Sequence, residues 1–333
     1  MPIPFLLVGI GAAVLGAGKS VKAGFDQKDA NETNKQAQYL ITTSTEQVNE
    51  FRKRSGDAIT NLGKEKIKVL EQSIKPFVYA FEQLHNVEIS NSVGLEELQK
   101  FSIDKQAFEQ LKEMQTMASS IVSVVASGAA IGAITAFGAY GGAMAFGAAS
   151  TGTAIASLSG VAATNATLAF LGGGALSVGG MGIAGGTMVL GGLVAGPALA
   201  VMGFVVGAKA SANKDKAYSN LAQAKEYQEE MKTVKVVCKN IRRRAAMFER
   251  LIIKLNAIFE PLVYSLEQII VSSGTDYSIY TLKQKNTVAS AMSIAGAIKA
   301  VLDTPILTED GKLTNRSKET ADLFNKMLAV KNA

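Results

Sequence analysis

Apolar residues along this chain fall into two repeating rows and one long block. In the first row Leu70, Ile74, Phe77, Phe81 and Leu84 are spaced 4, 3, 4, 3. In the second, Leu255, Phe259, Leu262, Leu266 and Ile269 repeat the same 4, 3, 4, 3. Such spacing gathers the apolar side chains on one helix face and makes a heptad seam for another helix. Around the seams, residues 26–75 and 209–256 are rich in Lys, Glu, Gln and Asn, a composition that predicts long exposed helices. The block differs in kind: the whole of 114–208 contains no Asp, Glu, Lys, Arg or His.

The two seams are one seam written twice. Adding 185 to the numbering carries each of the five positions of the first onto the second, and Pro76-Phe-Val-Tyr-Ala-Phe-Glu-Gln onto Pro261-Leu-Val-Tyr-Ser-Leu-Glu-Gln. Each copy then reaches an aromatic-Ser-Ile triplet, Phe101-Ser102-Ile103 or Tyr277-Ser278-Ile279. The pattern predicts a duplicated unit. A proline within a helix removes one hydrogen bond and collides with the preceding turn, so Pro76 and Pro261 are expected to kink both copies at equivalent places. Paired about a pseudo-twofold, the copies should place Tyr79 and Tyr264 in equivalent environments.

Within the uncharged block, nearly half of all positions are Gly or Ala. A membrane-spanning helix needs about 20 apolar residues, so the block has room for roughly two to four. Breaks are expected near Ser150–Gly152, at Gly172–Gly174 and at Gly196-Pro197. Five small-residue pairs recur: Gly128/Gly132, Gly138/Gly142, Gly182/Gly186, Gly192/Gly196 and Gly203/Gly207. Each puts two glycines on one helix face, where a second backbone can approach closely. Because Gly and Ala add little hydrophobic driving force, the block also suits a soluble cytoplasmic form in which it is buried before insertion. The expected fold is therefore all-α. Long charged helical arms, a pseudo-duplicated bundle, surround a Gly/Ala-rich hydrophobic hairpin region. The divisions are residues 1–24, an apolar N-terminal segment; 25–113, a first arm; 114–208, the membrane-type region; and 209–333, a second arm with C-terminal helices. In the N-terminal segment, positive charge (Lys19, Lys22) follows the apolar run, the reverse of a secretory signal, so an uncleaved membrane-associated or hairpin-docking helix is expected.

Charge sharpens this picture in one place. The net +6 of the chain arises in residues 209–254, which hold twelve basic and five acidic side chains. Lys239, Arg242, Arg243 and Arg244 form its centre and are expected to face anionic lipid as a cytoplasmic flank of the uncharged region. No aromatic residues are interleaved with these charges to stack on bases, so no nucleic acid is expected. Candidate chemistry is sparse. One cysteine, Cys238, and one histidine, His85, supply neither a disulfide nor a metal set. They are expected to be a buried thiol and a helix-end imidazole. Ala13-Val-Leu-Gly-Ala-Gly18-Lys19-Ser20 fits a loose phosphate-loop pattern. However, no buried strand precedes it and no acidic strand end follows, so it is expected to be a small-residue helix exit. No enzyme activity, cofactor or metal is expected.

The run Ser150-TGTAIASLSGVAATNATLAFLGGGAL-Ser177, its continuation to Phe204, and the segments GTDYSIY (274–280) and VLDTPILTEDGKL (301–313) resemble a widespread bacterial family. The resemblance extends over most of the chain and implies no activity. In architecture the chain is also similar to apolipoprotein L and to α-helical pore-forming proteins, in which charged helices sheathe an apolar hairpin. Together these readings imply a membrane-inserting helical protein of the bacterial cytoplasmic membrane, arms in the cytoplasm, acting as a homo-oligomer to form a pore or remodel the bilayer. The alternative is a membrane-bound helical scaffold or signalling protein whose arms bind another protein.

Overall fold

In a computed structural model, residues 20–87, 104–125, 131–140, 214–308 and 312–330 are described. They form seven α-helices. In chain order these are α1 (Ser20–Val69), α2 (Lys75–Glu82), α3 (Lys105–Val125), α4 (Ile131–Tyr140), α5 (Lys214–Ser273), α6 (Leu282–Asp303) and α7 (Asn315–Val330). A π-helical turn, Leu70–Ile74, joins α1 to α2, and a 3-10 turn, Tyr277–Ile279, lies between α5 and α6. Among the described residues only isolated bridges, and no strands, accompany the helices, so the fold is all-α. No helix among them is long and apolar enough to cross a membrane.

The described residues divide into two compact units: those up to 46 with 214–232, and those from 47 to 140 with 233–330. The smaller is built on alanine. Ala30, Ala37 and Ile41 of α1 and Ala217, Ala224 and Met231 of α5 are buried. Small side chains let two backbones approach, and polar pairs supplement the slight apolar area. Asn220 Nδ2 donates to Asn34 Oδ1 at 3.0 Å, Tyr227 and Thr45 share a hydrogen bond of 2.9 Å, and the Tyr218 hydroxyl donates to Asp29 at 3.4 Å. Partner numbers rise together, so α1 and α5 run parallel here, with partners offset by 182 to 189 in the numbering.

The larger unit holds the main core. Both seams lie in it: Leu70, Ile74, Phe77, Phe259 and Leu266 are fully buried, and Phe77 meets Phe259 edge-on with ring centroids 5.3 Å apart. The pairing is again parallel, with Lys235 Nζ on Gln47 at an offset of 188 and Asn86 on Asp276 at 190. Within each unit, then, the bonded partners lie close to the repeat offset read from the sequence. Tyr79 and Tyr264 are both largely exposed, at 72% and 64%. Helix α6 begins with a capping box, Thr281 with Gln284, which satisfies two amides reciprocally. Its residues Ala291 to Ala295 are buried without a break, more than a full turn, so this part of the helix is enclosed on every side.

The two prolines are accommodated differently. Pro76 stands at the start of α2, just after the π turn, where the Lys75 amide donates to Leu70 O, one residue beyond the usual partner. The extra residue re-registers the ladder ahead of the ring, where a proline would otherwise meet the carbonyl of the turn before it. Pro261 lies inside α5, which continues as helix on both sides. Equivalent sequence positions thus carry unlike backbone.

Candidate functional site

Two helices of the larger unit include residues of the uncharged stretch: the second half of α3 and all of α4. The way the first arm holds them defines the candidate site. Helix α4 crosses α1 at two glycines. A β-carbon on Gly63 would overlap the carbonyl oxygen of Ile134, and one on Gly138 would overlap the carbonyl oxygen of Ile59. The helices therefore touch backbone to backbone, an approach only glycine permits. Beside the crossing, the hydroxyls of Thr60 and Thr135 lie 2.7 Å apart in a hydrogen bond, while Ile134 and Phe137 enter the main core.

At its C-terminal end α4 is held by polar contacts. The last carbonyls of a helix lack partners within it. Here Phe137 O accepts from Lys66 Nζ at 3.3 Å, and Ala139 O accepts from the amides of Ile306 and Leu307 at 2.7 and 3.1 Å. Lys66 also donates to Leu302 O, at the C-terminal end of α6, at 3.4 Å, and its ammonium position lies 5.6 Å from the Phe137 ring centroid. Two helix C-termini, each carrying partial negative charge, thus converge on one lysine. The side chain is completely buried, and that burial lowers its pKa from 10.5 to about 7, against an opposing pull from Asp303. Asp303 is engaged by Lys299 at 2.5 Å.

Residues 306–308 and 312–314 bond to one another beside this end of α4. Thr314 N donates to Ile306 O at 3.0 Å, Thr308 N donates to Lys312 O at 2.8 Å, and the Thr314 hydroxyl caps α7 by accepting from Ser317 N at 3.1 Å. VLDTPILTEDGKL is thereby partly accounted for: its first half closes the end of α4. Helix α3 is seated by the π turn. Glu71 accepts from Ser119 Oγ and, at 3.3 Å, from Gln115 Nε2, and Lys112 pairs with Glu82. π turns are frequent at functional sites, and this one carries the Glu71 that α3 bonds to.

Of the glycines singled out in the sequence, Gly138 is thus at a close crossing, and its partner is Gly63 of the arm. Gly132 lies on α4. Gly128, Gly142, Gly182, Gly186, Gly192, Gly196, Gly203 and Gly207 lie outside the described residues, as do the expected breaks, the N-terminal apolar run and Phe101–Ile103. Of the phosphate-loop-like sequence only Ser20 is described, opening α1. The basic cluster is spread around α5: Lys239 and Arg243 are exposed, while Arg242 and Arg244 are half-buried and Arg244 donates to Ser317 Oγ at 3.5 Å. Consecutive residues lie about 100° apart on a helix, so three adjacent arginines cannot share a face. Cys238 is buried, and burial raises its thiol pKa despite Ser55 and Arg52 nearby, leaving it a poor nucleophile. His85 follows α2 and is exposed, its amide donating to Thr275 O at 2.8 Å.

Gly63, Lys66 and Glu71 were not among the residues that sequence reasoning selected. No protein-family model, curated protein or solved structure matches this chain at a significant level.

Proposed function

We propose that this protein is a membrane-inserting helical protein, in which helical arms hold the uncharged segment 114–208 until it enters a bilayer of anionic lipid as a homo-oligomer. The outcome would be a pore or a remodelled membrane, at the bacterial cytoplasmic membrane and with the arms in the cytoplasm. The observation that carries this reading is the absence of any charged side chain throughout 114–208. In soluble domains about a quarter of residues are charged. The seat on α1 supports it. Helix α4 is held by one crossing at two glycines, by polar contacts and by Ile134 and Phe137, a small share of the core that also contains Phe77 and Phe259. Lys239 and Arg243, exposed on α5, offer charge to anionic headgroups.

The test is dye release from anionic liposomes, with the wild-type chain and with Gly186→Arg. An arginine at the centre of an inserted helix costs about 2.5–3.5 kcal/mol, so the variant should lose leakage while keeping its helicity by circular dichroism. A folded wild type that neither binds nor permeabilises such liposomes, and is missing from carbonate-washed membranes of its host, would sink the reading. One observation favours the scaffold alternative: Tyr79 and Tyr264 are exposed at equivalent positions of the two copies. Binding to membranes without leakage would select it.

A further inference from the structure

We propose that Lys66 is a proton-operated latch on α4: the helix stays seated while the amine is neutral, and the seat opens when the ammonium forms. Lys66 is completely buried between α1, α4 and α6. Among the described residues its nitrogen bonds to two backbone carbonyls, of Phe137 and Leu302, and faces the Phe137 ring. At 3.3 and 3.4 Å these are long bonds for an ammonium group. The charged groups facing it are few. Helix α4 carries no Asp, Glu, Lys, Arg or His, and α6 presents Asp303, which Lys299 already holds. A proton on Lys66 therefore adds a buried charge whose nearest carboxylate is already engaged, a state that burial disfavours.

Opening the seat relieves it. Helix α4 is the shortest of the three helices around Lys66. It is a ten-residue helix, joined to α1 through glycines and the Thr60–Thr135 hydrogen bond, to the core through Ile134 and Phe137, and to the 306–307 segment through one carbonyl. Releasing α4 hydrates the ammonium and leaves the seams of α2 and α5 in place.

The direction with pH follows from the titration of the two states. Lys66 titrates near 7 when seated and near 10.5 when released to water. Between those values the released state binds more protons, so high pH favours the seat. That contribution is complete above about 10.5 and is lost progressively as pH falls to about 7. From pH 8 to pH 6 the opening equilibrium should rise about tenfold, and from pH 9 to pH 6 about ninetyfold. As a trigger for insertion the latch rests on the function proposed above; as a property of the fold it does not, and the two are tested apart.

The latch is tested by hydrogen exchange on the full chain without lipid, followed at the α4 amides of Thr135 to Ala139, with those of α6 as reference. Protection at α4, each amide referred to its own unfolded-chain rate, should lie below that of α6 and fall about tenfold from pH 8 to pH 6 in the wild type. In Lys66→Met, which keeps the volume and cannot take a proton, it should be flat. Asp303→Asn provides a second variant: without its carboxylate the ammonium is less favoured, so the opening should move to lower pH. A pH-independent wild type, or a Lys66→Met that keeps the wild-type pH dependence, overturns the latch. Dye release from anionic liposomes at pH 6 and pH 8 is the separate arm. Leakage that is equal at both pH values, with flat α4 protection, rejects the latch and leaves the membrane reading standing. A tenfold loss of protection without leakage at either pH supports the latch and rejects insertion.

Discussion

In the first copy of the proline-marked unit, Gly63, Lys66 and Glu71 meet α4, α6 and α3. At the equivalent positions of the second copy stand Phe248, Leu251 and Asn256. Phe248 is completely buried and Leu251 is 5% exposed, so the second copy fills with its own side chains the space that the first copy yields to α4. The same contrast runs through the backbone. The first copy breaks into a π turn and restarts at Pro76, and the second continues as helix through Pro261. Two segments that share a seam and a register have been put to different ends, one as a filler of the core and one as a seat. The departures from the repeat, more than the repeat itself, mark where the uncharged helices are held.

The largest effects should come from exchanging what each copy does at this position. Phe248→Ala empties a core site and should cost about 3–5 kcal/mol in a urea titration, with protection lost across the larger unit. Gly63→Ala adds a single methyl where Ile134 O already stands and should cost about 1–3 kcal/mol, with exchange protection lost first on α4. Gly138→Ala made on top of Gly63→Ala should add little, since both disrupt one crossing. A fully additive pair would mean that the two glycines act at separate contacts and that the seat is misassigned.

The prolines separate the copies next. Replacing an interior helical proline by alanine restores a hydrogen bond and relieves a clash, a gain of about 3 kcal/mol at most in an exposed helix. Pro261 is exposed within α5, and Pro261→Ala should stabilise by about 1–3 kcal/mol. Pro76, at the head of α2, sits where proline is tolerated, and Pro76→Ala should change stability by less than about 1 kcal/mol. Equal gains at both sites would show that the π turn does not relieve the first proline.

Much of this contrast is legible in the sequence, and its limit is physical. The 4, 3, 4, 3 spacing gives both seams and the constant offset between them gives their pairing, because local periodicity decides which face of a helix is apolar. Carrying the first seam backward by 3, 4 and 3 gives Ile67, Gly63 and Thr60, so a glycine at a seam position was a visible sign of close approach. Lys66 lay in a similar row, Ile59, Leu62, Lys66, Val69, a charge among residues that are all buried. What periodicity cannot supply is the partner. The lysine is accounted for only when the C-terminal ends of α4 and α6, at Tyr140 and Asp303 and so far apart along the chain, are brought to it. The arginine cluster erred the other way: a run of like charge suggests a common face, and helical geometry spreads it around the axis. The middle of helix α6 could have been read as buried, since Val288 to Ile298 carries no charged residue on any side.

The π turn supplies a smaller test. Glu71 is mostly buried and accepts from Ser119 and Gln115 of α3. At the same place in the second copy, the buried Oδ1 of Asn256 has no hydrogen-bond partner among the described residues. Glu71→Ala should loosen α3 by about 1–2 kcal/mol, read as lost exchange protection at residues 114–119. Glu71→Gln, which keeps an acceptor in place, should recover most of it. An α3 that is unaffected by Glu71→Ala would make the π turn a mere accommodation of Pro76.

The smallest effect has the opposite sign. Gly56 lies two turns before Gly63 on the same helix, and a β-carbon there would meet nothing within 4 Å. With no approaching backbone to admit, the residue only weakens its helix, since glycine is about 0.8–1.0 kcal/mol less favourable than alanine in a helix interior. Gly56→Ala should therefore stabilise the chain by about 0.5–1 kcal/mol, visible as a higher urea midpoint with an unchanged slope. The comparison is controlled: one substitution, made at two places on one helix, with the presence of α4 as the difference. If Gly56→Ala and Gly63→Ala destabilise alike, the cost at Gly63 arises within α1 and not from the α4 backbone. If both stabilise, α4 does not lie against α1 in solution, and the seat and the latch built on it fall together.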